Sequence, residues 1–176
     1  MMYEDKFTLA KVVEVLEAEP RAVQTWWNKH LPGGAVVGGG SPGKRKTCDF
    51  PALMHMATAK ALIDGFGINA TRAFEMAVEF AHFGAADEEE PEMVRYPSLP
   101  YREEWHDPTL LVVTPKGSKV VRKSNFANTV KPRDHMNISD AGGVLALNVS
   151  EVFNSLVAKI EPGRDPQEIL AETYGN

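Results

Sequence analysis

The chain has 176 residues, of which 43% are hydrophobic and 24% charged, and its net charge is −5. That composition belongs to a globular protein of one or two small domains and excludes a disordered or fibrous chain. Its apolar stretches are helical patterns broken by charges, well short of the roughly 20 apolar residues of a membrane span, and its start carries Glu4 and Asp5 where a secretory leader would be positive, so a cytoplasmic, nucleoid-associated protein is expected.

Thr8 is placed to cap a first helix in which Leu9, Val12, Val13 and Leu16 recur at helical spacing. Pro20 suits the first turn of a second helix, which runs to about Lys29 with Val23 and Trp26 inward and Trp27 a further candidate, at least one of the two tryptophans being expected in the core. Two helices of about ten residues joined by a tight turn make a helix-turn-helix. Leu31, Pro32, Gly33 and Gly34 break the pattern; Ala35-Val36-Val37, a glycine-rich tip over 38–43, and Lys44-Arg45-Lys46-Thr47 then read as the two strands and mobile tip of a wing. Asp49 caps the next helix, which has Pro51 in its first turn and Gly65 as its stop, and Asn69 or Thr71 caps another that ends near Gly84.

Residues 85–107 hold Asp87, Glu88, Glu89, Glu90, Glu92, Glu103, Glu104 and Asp107 together with Pro91, Pro97 and Pro100, and are expected to form an acidic linker. Beyond them, the β-rich runs 109–114 and 119–122 around Pro115-Lys116-Gly117-Ser118 are a hairpin signal, with a third strand over 143–148. Ser150 is placed to cap a helix through Val152, Phe153, Leu156, Val157 and Ile160, and a short final helix is expected over 166–174. The expected fold class is α+β: a mainly helical winged helix-turn-helix over 1–84, the linker 85–107, and a small α+β oligomerisation or partner-binding domain over 108–176. A piece ending near Gly84 is expected to fold alone.

The string Pro20-Arg21-Ala22-Val23-Gln24-Thr25-Trp26-Trp27-Asn28-Lys29-His30-Leu31, in the order helix, turn, helix, wing, helix, helix, resembles the MerR-like winged helix. Pro20, Arg21, Val23, Trp26 and Leu31 match the usual second helix of that family. Gln24, Thr25 and His30 depart from it, standing where Arg, an aromatic and Gly are common. The resemblance covers residues 7–84 and implies double-stranded DNA as the partner; phage excisionases and terminase small subunits share the pattern.

Local charge agrees with that implication although the net charge does not: residues 20–48 contain no acid and five cations, Arg21, Lys29, Lys44, Arg45 and Lys46. In the major groove Arg21 can pair with guanine, Gln24 with adenine, and Thr25 can touch a thymine methyl, while Lys29 reaches phosphate. With Asn28 on the same face, Thr8 at the head of the first helix, and Lys44, Arg45 and Lys46 gripping phosphate from the wing, these make the expected DNA-binding set. The second basic stretch, Lys116 to Arg133, reads equally as a further nucleic-acid surface or as a dock for the acidic linker.

Other chemistry is weaker. Gly38 to Lys44 nearly spells a phosphate-binding loop, but Arg45 replaces the required Ser or Thr and no helix starts there. The five histidines are dispersed, which argues against a metal, and His55 and His82 read as packed side chains on helices. Cys48 reads as buried and inert. No cofactor and no catalytic residue is expected. The leading expectation is a sequence-specific bacterial or phage transcriptional regulator, possible as a homodimer through its C-terminal half. The alternatives are an excisionase-like or terminase-small-subunit-like architectural DNA-binding protein, and a protein-interaction adaptor.

Overall fold

Local capping chemistry sets the first elements. In the computed structural model, which describes residues 5–33, 36–37, 46–86, 93–102, 107–130 and 143–175, the chain enters on a short strand, β1 (Phe7–Thr8). The Thr8 hydroxyl accepts the Lys11 N–H at 3.3 Å and so starts α1 (Leu9–Leu16), which buries Val12, Val15 and Leu16. The helix ends on Glu17 in the left-handed region, φ 49°, whose N–H donates to the Glu14 carbonyl. Three residues later α2 (Pro20–Lys29) begins with proline in its first turn and the Glu19 carboxylate accepting the Ala22 N–H at 3.0 Å.

Strands β2 (Val36–Val37) and β3 (Thr47–Cys48) pair antiparallel, and β1 adds to the other edge of β3, giving the order β1-β3-β2 with Cys48 opposite both Phe7 and Val36. The expected glycine-rich tip, with Lys44 and Arg45, lies outside the described residues. Asp49 then accepts the Ala52 N–H at 3.0 Å to start α3 (Phe50–Phe66). This helix runs through Gly65, the expected stop, and closes instead on Gly67, where φ 67° costs a glycine little and the N–H reaches the Ile63 carbonyl. Asn69, of the two expected caps, starts α4 (Ala70–His82).

The stretch expected to be a linker is structured in its middle. Strands β4 (Ala85–Ala86) and β5 (Val94–Arg95) pair antiparallel, and Gly84 lies so close to the β5 backbone that a Cβ there would sit 2.8 Å from the Arg95 carbonyl. Arg95 is fully buried, as are Ser98 and Leu99, and Tyr101 nearly so. Acid content and prolines pointed to disorder, but the four-residue cluster Arg95, Ser98, Leu99 and Tyr101 supplies enough buried contact to hold the segment against α4.

The hairpin forms as β6 (Thr109–Thr114) and β7 (Gly117–Arg122) around the two-residue turn Pro115-Lys116. It is followed by α5 (Lys123–Val130), where no element was expected, and by β8 (Leu145–Asn148), which pairs with β6 to give the order β7-β6-β8. Asn148, not Ser150, caps α6 (Val149–Ile160) by accepting the Glu151 N–H at 3.2 Å. Ser150 is the second residue of the helix, buried, and accepts the Thr109 N–H at 2.9 Å. The final helix, α7 (Pro166–Tyr174), starts on Asp165.

A mixed α+β architecture therefore holds, with helices dominating the N-terminal region and small antiparallel sheets. One hydrophobic cluster runs through both halves, from Phe7 through Leu62, Phe80 and Val113 to Leu170. Phe50 of α3 meets Phe153 of α6 edge-on at 6.3 Å, and both are fully buried. Among the described residues the expected separation into a free-standing N-terminal core and a second core is not seen, because α3 and α1 pack on α6 and α4 packs on β7.

Candidate nucleic-acid interface

Helix α2 divides cleanly around its circumference. Val23, Trp26 and Trp27 are buried, whereas Arg21, Gln24, Thr25, Asn28 and Lys29 are exposed. At 100° per residue those five side chains span an arc of about 140°, one face of the helix. The inner face is anchored by aromatic contacts: Trp26 lies 5.8 Å from Phe74 of α4, and the ring of His30, the C-cap residue, stacks on Phe74 at 5.0 Å. Both tryptophans belong to the core, and the Trp27 indole N–H is buried without a hydrogen-bond partner among the described residues.

On the outer face Thr25 donates its hydroxyl to the Arg21 carbonyl at 2.8 Å, so its methyl and the acceptor side of its oxygen remain to meet a partner. The Asn28 Oδ1 accepts from Lys46 Nζ at 3.4 Å, which brings the residue preceding β3 beside the last turn of α2. Arg21, Lys29 and Lys46 are thus three exposed cations on one surface, and the carboxylate nearest in sequence, Glu19, is engaged in capping the helix. Thr8 stands apart from this face in role: it is half-buried, its hydroxyl caps α1, and it pairs with Thr47 across the sheet. Lys44 and Arg45 fall on residues that are not described.

Two supports of the face were not legible as such in the sequence. Glu19 as a cap is atypical, since Ser, Thr, Asp and Asn are the usual choices. His30 as a stacking buttress depends on Phe74, 44 positions away, and no local pattern signals that pairing.

Behind the face lies an imidazole pair. The His55 Nε2–H donates to the Phe74 carbonyl at 2.8 Å, and the His55 Nδ1 accepts from His82 Nε2 at 3.0 Å. Burial lowers the pKa of His55 to about 4 and lowers that of His82 as well, so both rings are neutral packing groups. Cys48 is fully buried, and burial with the neighbouring Asp49 charge pushes its pKa up to about 12, which keeps it a thiol.

Apart from this face, an open cleft of about 420 Å³ lies between α1, α3 and α6. Leu16, Ala57, Ala61 and Leu156 give it an apolar floor, and the Lys159–Glu17 ion pair at 3.0 Å and the Lys60–Asp64 pair stand on its walls. No group of three or more His, Cys, Asp or Glu side chains positioned to hold a metal occurs among the described residues. No helix among them is long and apolar enough to cross a membrane. No protein-family model matches the chain, and no curated protein matches it at a significant level.

Proposed function

We propose that this chain is a sequence-specific double-stranded DNA-binding protein that reads the major groove with α2 and acts, without enzymatic chemistry, as a transcriptional regulator. The observation that carries this reading is the outer face of α2. An exposed arc holding Arg21, Gln24, Thr25, Asn28 and Lys29 contains the donors, acceptors and methyl group that base edges present in complementary form, with no acid among them. Lys46 beside Asn28 adds a phosphate-seeking charge from the strand pair next to the helix. The packing of Trp26 and His30 on Phe74 supports the reading in a second way, because a helix that reads bases has to be held rigidly against its own core.

The test is selection from a random duplex library with the full chain, followed by measurement of affinity across a salt series. Enrichment of a short common sequence, bound with a steep fall in affinity as salt rises, is the expected result. Failure to retain any duplex at low salt overturns the proposal.

A further inference from the structure

The cleft between α1, α3 and α6 is lined by small residues where large ones would close it. Ala57 and Ala61, one turn apart on the same face of α3, form its floor with Leu16 of α1 and Leu156 of α6. An alanine ends at Cβ, so the space a longer side chain would take at either position stays open. The volume of about 420 Å³ is that of a small-molecule site, in which an apolar lining carries a few polar groups. Its walls come from both halves of the chain, α1 and α3 on one side and α6 with the end of β8 on the other.

The polar groups stand in a row along one wall. Glu151, Ser155 and Lys159 fall at four-residue spacing on α6, which puts them on one helix face, and all three are exposed and line the cleft. Lys159 is committed to Glu17 at 3.0 Å, and Lys60 of α3 is committed to Asp64. Glu151 has no ion-pair partner among the described residues. Once the two pairs are set aside, the charge left on the lining is that one carboxylate.

We propose that this cleft is a small-molecule site for an amphipathic cation, a compact apolar body carrying one ammonium group. The body covers the alanine and leucine floor and releases the water held against it. The ammonium stands at Glu151, with the Ser155 hydroxyl as a neighbouring acceptor. A carboxylate on the same body would meet Glu151 with both lysines already engaged, and so binds less well. Because the walls belong to both halves, an occupant holds α6 against α1 and α3 and stabilises the folded chain. The cleft also reaches Glu17, whose left-handed backbone ends α1 three residues before α2 begins. The site itself does not depend on how α2 is used.

Calorimetric titration of the full chain with phenylbutylamine, phenylbutanol and phenylbutyrate varies the charge and keeps the body. Affinity should fall in that order, the amine should raise the unfolding temperature, and its effects on amide nitrogen-15 spectra should centre on residues 15–17, 57–64 and 147–159. Glu151→Gln should weaken the amine about fivefold, the scale of an exposed ion pair, and leave the alcohol unchanged. Ala61→Phe, which fills the floor, should remove binding of all three. Glu151 also lies in the first turn of α6, where an acid suits the helix dipole, so Glu151→Gln is judged by its affinities and not by its stability. The proposal is overturned if none of the three probes binds, if the carboxylate binds as well as the amine, if Glu151→Gln leaves the amine affinity unchanged, or if the spectral changes fall elsewhere. None of these outcomes bears on duplex binding, which is measured separately.

Discussion

His55 has both ring nitrogens committed, one donating to Phe74 and one accepting from His82, and only 1% of its surface is exposed. A second proton has no place in that arrangement. With its pKa lowered from 6.5 to about 4 by burial, the unfolded chain takes up the proton first as pH falls. The stability this group contributes is therefore complete above pH 6.5 and is lost as pH drops toward 4; 2.5 pH units correspond to about 3 kcal/mol. His82, shifted the same way, adds to the loss. Urea unfolding between pH 7 and pH 4 should show this decline, and His55→Gln should be less stable at pH 7 but distinctly flatter with pH. On the opposite side of the same layer, Arg21→Ala and Gln24→Ala should each cost about 1–3 kcal/mol at the preferred DNA site and relax base preference there. Binding selections repeated with each variant check this, and unchanged selectivity in both would remove α2 from the role of reader.

At the scale of elements, the C-terminal end of α4 is closed by donors from outside the helix. Its last turn leaves carbonyls that no further helical turn can use. Arg95 meets them from β5: Nη1 donates to the Phe80 carbonyl at 3.0 Å, Nη2 to Glu79 at 3.2 Å and to Phe83 at 2.5 Å, and the guanidinium lies 5.3 Å from the centre of the Phe80 ring. Ser98 adds to this, its N–H reaching the Phe80 carbonyl and its hydroxyl reaching that of Ala81. Burial lowers the Arg95 pKa, but a guanidinium stays charged because its ordinary pKa is so high. Arg95→Leu should cost about 3 kcal/mol or more, since several buried acceptors lose their donor together. Amide hydrogen exchange should rise first at residues 79–84, and a loss spread evenly over the molecule would contradict the capping role.

At the level of the whole molecule, α6 completes the core on which α1 and α3 rest. Phe153→Ala should therefore destabilise the chain by about 3–5 kcal/mol and, in a chain carrying Trp105→Phe so that only Trp26 and Trp27 report, should shift one cooperative transition although those two tryptophans lie in the other half. A piece ending at Gly84 should lack a cooperative transition, because it exposes the α6-facing side of Phe50 and loses Arg95 from the end of α4. Tryptophan fluorescence and circular dichroism on heating test both. If the short piece melts sharply and Phe153→Ala leaves the tryptophan signal unchanged, the two halves are energetically separate.

What the sequence determined by itself is much of what depends on near neighbours. Thr8, Pro20, Asp49 and Asn69 start helices because a cap or an N1 proline acts within three residues, and the pairing of 109–114 with the following run is decided by a two-residue turn. The polar arc of α2 was equally legible, since helical spacing sorts its side chains whatever the partner helix. Tertiary structure alone decided the rest. Ser150 gave up capping α6 to Asn148 and bonds the start of β6 instead; Arg95 turned a stretch with the composition of a linker into the closure of α4; and Phe50 met Phe153 to join two halves whose charge patterns had suggested separate domains. The Ser150–Thr109, Arg95–Phe80 and Phe50–Phe153 contacts each join residues more than ten positions apart, and composition and periodicity carry no record of which distant surface a buried group will meet.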